Sequence, residues 1–285
     1  MRMMSQQNKG EKMRRTLIGL SLTAALAAAG IALAQPAPAV APAPPRALPT
    51  GYLNPQTWPA AALILPPAPA TGSAREAQDQ AVFKATRGLE GSPRWSLAQN
   101  DVPSLPANML KDFSCAVGVQ MSPEAAPKLM AMLTRMGIDA SRQVSSVKDV
   151  FKRQRPYLIA GAGNICAPKT ESLAASPDYP SGHATWGWAV AMFLAELAPD
   201  QATPILVRGR AFGESRVVCG VHSVSAVEAG RTNAAAILAT WRGDPTFRAD
   251  LEGVRGELEA LRKTGAKPDA AMCKAEAEQT AKTPW

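Results

Sequence analysis

An all-α fold, a compact helical bundle, follows from three features of the 285-residue sequence. Alternating β-branched runs are almost absent, apolar residues recur at helical spacing in segment after segment, and cap, proline and glycine signals punctuate those segments. One segment, residues 182–197, is apolar nearly all round, as expected of a helix surrounded by others.

The first stretch lies outside the fold. Arg14 and Arg15 precede the apolar run Leu17 to Leu33, and Ala32-Leu33-Ala34 before Gln35 has the small-x-small form of a cleavage site. Residues 1–34 therefore read as a secretory signal peptide, with Met13 as a second candidate start, and the protein is expected in the periplasm or secreted. Residues 35–59 are a Pro/Ala-rich spacer with polyproline bias. Its later part, with Tyr52 and Trp58 leading to Leu63, Ile64 and Leu65, reads as a strap over the body. Residues 60–285 form the helical domain.

Ser73 caps a helix from Arg75 to about Thr86, and Ser92 to Asn100 brings Trp95 to the core or a lid. Val102 to Met109 leads into Phe113. Ser122 followed by Pro123 has the form of a helix start, and the run to Met136 carries a core stripe of Met130, Met132, Leu133 and Met136. Gly137 is expected to stop that helix, with Asp139 or Ser141 opening another that ends before Pro156. Residues 157–180 form a long loop rich in Gly, Asn, Ser and Pro, a length that in a compact domain points to function. Further helices cover 182–197, 204–212, 223–241, 244–263 and, more briefly, 268–282.

Charge and composition exclude several classes. Loss of residues 1–34, with five Lys/Arg and one Glu, lowers the formal charge from +8 to +4. Aromatic residues make up 5% of the chain and no basic tract interleaves with them, which argues against a nucleic-acid groove. After the leader no apolar run is long enough for a membrane span; Ala184 to Leu197 is too short and contains Glu196. Cys115, Cys166, Cys219 and Cys273 are expected to form two disulfides, with three pairings open.

Chemistry concentrates in Lys148 to Pro156, Pro180 to His183 and Ser215 to Glu228, which contain both histidines of the chain. Lys148 and Arg155, seven apart, would share a helix face, and Arg216 adds a second guanidinium fork that matches paired oxygens. Ser181 and the amide of Gly182 open the apolar helix, where N–H groups and the helix dipole favour an anion. Lys152 and Arg153 read as a solvated face. The set describes a tetrahedral oxyanion such as phosphate held by positive charge, with His183 and His222 free to react. One imidazole would attack phosphorus, and the other would protonate the leaving alkoxide and then activate water. No metal or other cofactor is called for, since cationic side chains stabilise the transferring group.

These three stretches resemble the tripartite signature of the class A bacterial non-specific acid phosphatases of the PAP2 superfamily: Lys, six residues, Arg-Pro; Pro-Ser-Gly-His; Ser-Arg, five residues, His, three residues, Asp. The resemblance extends to Leu65-Pro66-Pro67, Arg94-Trp95, Gly187-Trp188-Ala189, Cys219-Gly220 and Ala229-Gly230-Arg231, and covers roughly residues 60–240. It implies an exported, all-α, metal-independent enzyme acting broadly on phosphomonoesters at acidic pH. His222 would be the nucleophile and His183 the general acid, while Lys148, Arg155, Ser181, Gly182 and Arg216 would hold phosphate. It further implies self-association into a homo-oligomer. Vanadium-dependent haloperoxidases share the cradle, so vanadate is an expected inhibitor and a haloperoxidase the more distant alternative.

One position departs from the signature: the final aspartate is Ala226. That aspartate would accept a hydrogen bond from the nucleophilic imidazole and fix its tautomer. Replacement acceptors are Ser225, Asp178 from the long loop, and Glu228, which lies about 120° round the helix from His222. Without an acceptor, the expected penalty is on the order of 10²- to 10⁴-fold by analogy with triads. The alternative function is then an oxyanion-binding protein with little turnover. A leaving-group pocket is expected from residues 95–115 and 157–180, with Trp95, Phe113, Tyr157 and Tyr179 available to stack.

Overall fold

A computed structural model describes residues 49–159 and 163–285; the expected leader, residues 1–34, and the first part of the expected spacer lie outside these residues. The described residues form twelve α-helices and a short 3-10 turn, with no strand among them, as the sequence predicts. The helices are α1 (Ala61–Ile64), α2 (Ala74–Arg87), α3 (Pro93–Asn100), α4 (Pro106–Val117), α5 (Pro127–Phe151) and α6 (Pro156–Ile159). They continue with α7 (Glu171–Ala175), α8 (Gly182–Leu197), α9 (Ala202–Val218), α10 (Val224–Gly243), α11 (Pro245–Thr264) and α12 (Ala270–Thr280).

The apolar α8 lies between α9 and α10, with α5 and α4 also against it. Phe193 from α8, Phe212 from α9 and Trp241 from α10 are fully buried, and Met132 and Met136 of the predicted stripe join them. Gly230 lets α10 approach the start of α8: a Cβ there would lie 2.7 Å from the Ser181 carbonyl oxygen. The residues of the second and third motifs are therefore packed backbone to backbone.

Two expectations for α5 fail. Ser122 caps only a local turn, and the helix begins at Pro127. Gly137 does not end it, because the buried stripe continues on both sides through Met136, Ala140 and Val144; a mid-helix glycine costs about 1 kcal/mol, which packing of this kind outweighs. Asp139, read as a helix start, instead holds the strap by accepting from the Tyr52 and Leu53 amides at 2.8 and 3.1 Å and from Trp241 Nε1 at 2.9 Å. Tyr52 packs edge-on against Phe247, so the strap expected over the body begins well before residue 60.

Farther along, α9 runs beyond the expected 204–212, and Arg208 within it is 1% exposed, paired to Asp101 and Glu276. The two disulfides are Cys115–Cys273, which ties α12 to α4, and Cys166–Cys219, which ties the long loop to the connection after α9. No described helix is long and apolar enough to cross a membrane.

Candidate active site

Lys148 and Arg155 do converge, but not on one helix face. α5 ends at Phe151 and Lys152 takes a left-handed conformation (φ 49°), which turns the chain back on itself. Lys148 Nζ donates to Pro177 O at 2.5 Å and Ser176 Oγ at 3.2 Å. Arg155 donates from Nε to Ser176 O at 2.7 Å and from Nη1 to Val221 O at 2.8 Å. Both cations thus meet the loop that leads into α8 at its C-terminal end.

Ser181 caps α8, its hydroxyl accepting from the Ala184 amide, and its own amide donates to Ala226 O at 2.9 Å. The Gly182 and His183 amides are then the first orphan donors of the helix. Arg216 projects from the last turn of α9. It is 2% exposed, and its Nε and Nη1 find no acceptor among the described residues. A buried guanidinium without an acceptor is strongly unfavourable unless an anion completes it.

Gly220, in the left-handed region at φ 78°, makes the turn from Arg216 to His222. A Cβ there would lie 2.6 Å from Arg87 Nη1, and Arg87 in turn caps the carbonyls of Val217 and Val218. The His222 ring is buried. Its Nδ1 lies 2.9 Å from Asp178 Oδ1 and 2.8 Å from Asp178 O, both acceptors, so the network assigns the proton to Nδ1. Nε2 then carries the lone pair, and Arg155 Nη1 donates toward it at 3.1 Å. His183 faces Val102 O through Nε2 at 2.9 Å and stacks on Phe212.

Of the three replacement acceptors, only Asp178 reaches His222. Ser225 Oγ donates instead to Asp79, and Glu228 is exposed, 4.0 Å from Arg75. Ala226 is fully buried in an apolar cluster with Ala61, Leu65, Val147 and Tyr179.

Burial first and neighbouring cations next hold both imidazoles well below the usual histidine value, Arg216 acting on His183 and Arg155 on His222. Burial, reinforced by Arg155, lowers Lys148 to about 7, and the same two causes lower Arg216 to about 10. Burial and the surrounding cations therefore disfavour added protons on both imidazoles, and an anion among them would reverse that field. Among the described residues no group of three or more His, Cys, Asp or Glu is arranged to hold a metal ion.

Arg153, expected on a solvated face, is instead 10% exposed and pairs with both Asp79 and Asp178. Sequence spacing carries no sign of this, because the partners come from α2 and from the long loop.

A cleft of about 650 Å³ opens beside Lys148 and His183. Leu105, Ile138 and Trp186 supply its apolar wall, and Ser141, Arg142 and Ser145 its polar one. Parts of residues 95–115 and 157–180 contribute, as expected, but the aromatics named from sequence do not. Trp95, Phe113 and Tyr179 are buried in the core, Tyr179 donating to Pro66 O at 2.7 Å, and Tyr157 does not line the cleft. Their place in the core follows from apolar burial, which outweighs exposure for ring stacking on a ligand.

Comparison with known proteins gives the same grouping. The family model described as PAP2 superfamily matches residues 128–248. An acid phosphatase of Zymomonas mobilis subsp. mobilis is 41% identical over 215 residues, covering 75% of this chain and 81% of that protein. A non-specific acid phosphatase of Providencia stuartii is 34% identical over 70% of this chain and 81% of its own length. One from Salmonella typhimurium is 33% identical over 68% and 78%. With the three motifs gathered round the buried Arg216 guanidinium, the chain belongs to the PAP2 superfamily, among the class A bacterial non-specific acid phosphatases.

Proposed function

We propose that the protein is an acid phosphatase that hydrolyses phosphate monoesters through a phosphohistidine at His222. The observation that carries this reading is the His222 ring itself: Nδ1–H is held by Asp178, so Nε2 presents its lone pair on the side of Arg155. Nε2 attacks phosphorus, the ester P–O bond breaks, and His183 gives a proton to the departing alkoxide. Water then attacks the phosphohistidine, His183 takes the water's proton, and inorganic phosphate leaves. Arg216, Arg155, Lys148 and the amides of Gly182 and His183 would surround the transferring oxygens and balance their charge.

An acceptor on Nδ1 favours turnover over simple oxyanion binding, because a binding protein has no use for a fixed tautomer. Hydrolysis of an aryl phosphate from pH 4 to 8 with EDTA present tests the reading. Turnover blocked by vanadate competing with substrate is expected; binding of phosphate without hydrolysis of any monoester would contradict it. Two disulfides fit an oxidising compartment, and with residues 1–34 read as a leader they favour export to the periplasm or beyond.

His183 must carry a proton to act as an acid, yet burial and the Arg216 guanidinium depress its value. A bound dianion supplies the missing negative charge, so anion and proton bind together. Sulfate, which keeps its charge across this range, is therefore expected to bind several-fold more tightly at pH 5 than at pH 7.5, with Lys148 adding in the same direction. Calorimetric affinities equal at the two pH values would contradict this coupling.

Leu105, 72% exposed on the cleft wall, would cover the leaving group. Leu105→Asp is expected to raise KM for an aryl phosphate by about 10-fold, the cost of one lost apolar contact, and to leave kcat near that of the parent. An unchanged KM would place the leaving group elsewhere.

A further inference from the structure

A chain of buried charge runs from α2 to the catalytic imidazole. Asp79 of α2 lies 2.9 Å from Arg153 Nη2, and Arg153 Nη1 lies 3.4 Å from Asp178 Oδ2. Two hydroxyls link these ions in parallel. Arg153 Nη1 donates to Ser223 Oγ at 2.8 Å and to Ser225 Oγ at 2.7 Å; Ser223 Oγ donates on to Asp178 Oδ2 at 2.6 Å and Ser225 Oγ to Asp79 Oδ2 at 2.5 Å. The Ser223 amide adds a bond to Asp178 Oδ1 at 3.1 Å, and the Asp178 amide donates to Arg153 O at 2.8 Å.

Three charged groups and two hydroxyls buried together are expensive to desolvate, and stability alone would be served as well by apolar residues of the same volume. The arrangement does something apolar residues cannot. Asp178 Oδ2 is occupied by Arg153 and Ser223, which leaves Oδ1 turned to His222 Nδ1.

Resting on the reading of Asp178 as the group that orients His222, we propose that Arg153 and Asp79 are positioning residues of the same reaction. Asp79 anchors Arg153 to α2, and Arg153 keeps the Asp178 carboxylate ionised and in one rotamer against the Nδ1–H of His222.

The charged and titratable groups facing Asp178 are Arg153 and Arg155 after α5, Lys148 on α5, Asp79 on α2, Tyr179 next in the chain and His222 before α10. Burial pushes the Asp178 carboxyl up, and the Ser223 hydrogen bond, Arg153 and Arg155 pull it down. Without Arg153 the ionised fraction falls first at the acid end of the working range. The lost activity should therefore return as pH rises.

The test is steady-state hydrolysis of an aryl phosphate from pH 4 to 8 by Arg153→Gln, Arg153→Lys, Asp79→Asn and Asp178→Ala beside the parent, with melting temperatures for each. Arg153→Gln is expected to lower kcat by about 10- to 100-fold at the acid end, with a smaller loss near neutrality and KM little changed. Arg153→Lys, which restores the charge without the fork, should recover part of kcat and the parent's acid limb. Asp79→Asn removes the anchor and not the cation, so it should lower kcat without moving the acid limb upward. A parent-like pH profile and kcat in Arg153→Gln, with Asp178→Ala impaired, would overturn the positioning role and leave Asp178 in place. An equal loss at every pH that tracks the fall in melting temperature would reduce Arg153 to a structural residue and overturn it too. A fully active Asp178→Ala would overturn both readings.

Discussion

Asp178→Ala is expected to lower kcat for an aryl phosphate by about 10²- to 10⁴-fold, the range seen when the orienting carboxylate of a triad is lost. The loss follows from the His222 tautomer. With Asp178 present, Nδ1 has an acceptor at 2.9 Å and Nε2 keeps its lone pair. With alanine, the imidazole retains only the Asp178 carbonyl oxygen at Nδ1, on a loop freed from its hold on Ser223. Phosphate affinity should change little, because Arg216, Arg155 and Lys148 remain. Kinetics read beside phosphate binding separate the two: a fall in kcat with binding intact is the expected result, and a parallel loss of both would mean that Asp178 only supports the cradle.

His222→Ala should reduce turnover further, by about 10⁴- to 10⁶-fold, the scale at which a covalent mechanism fails when its nucleophile is removed. Water would have to attack the monoester directly, with only the cationic cradle to stabilise the charge. The variant should still bind phosphate, and it should give no phosphoenzyme when acid- and base-quenched samples are compared for a phosphohistidine's characteristic acid lability. Parent samples quenched in base should contain that species. Its formation in His222→Ala would assign the nucleophile to His183.

Much of this was legible in the sequence, and the failures have local causes. Helices α8, α10 and α11 are found where apolar pattern and caps put them, because Ser181, Ser223 and Asp244 act as N-caps. Gly137 misleads because a glycine ends a helix only when tertiary packing does not carry the helix through. Lys148, Arg155 and Arg216 come close together, although the shared helix face inferred for the first two does not exist. Arg153 and Asp79 were invisible as partners: 74 residues separate them, and a cationic residue beside a helix end usually faces water. The Asp178 contact spans 44 residues, and the sequence offers it only as one of three acceptors beside Ser225 and Glu228, because spacing along the chain does not say which loop carboxylate folds back onto the imidazole.

The structure also gives Ala226 a reason. A carboxylate at 226 would be buried among Ala61, Leu65, Val147 and Tyr179, while Asp178 already accepts from His222 Nδ1. Position 226 holds an apolar side chain packed with Val147 and Tyr179.

A double-mutant cycle on kcat decides whether Asp178 does for His222 the work that the motif assigns to the residue at 226. The four proteins are the parent, Asp178→Ala, Ala226→Asp and the combination, assayed on one aryl phosphate at one acidic pH. Ala226→Asp alone should lower activity, and in the Asp178→Ala background the same substitution should restore part of what was lost. If Ala226→Asp instead raises the parent's activity by orders of magnitude while Asp178→Ala is harmless, then His222 lacks its orienter in this chain and Asp178 is a bystander.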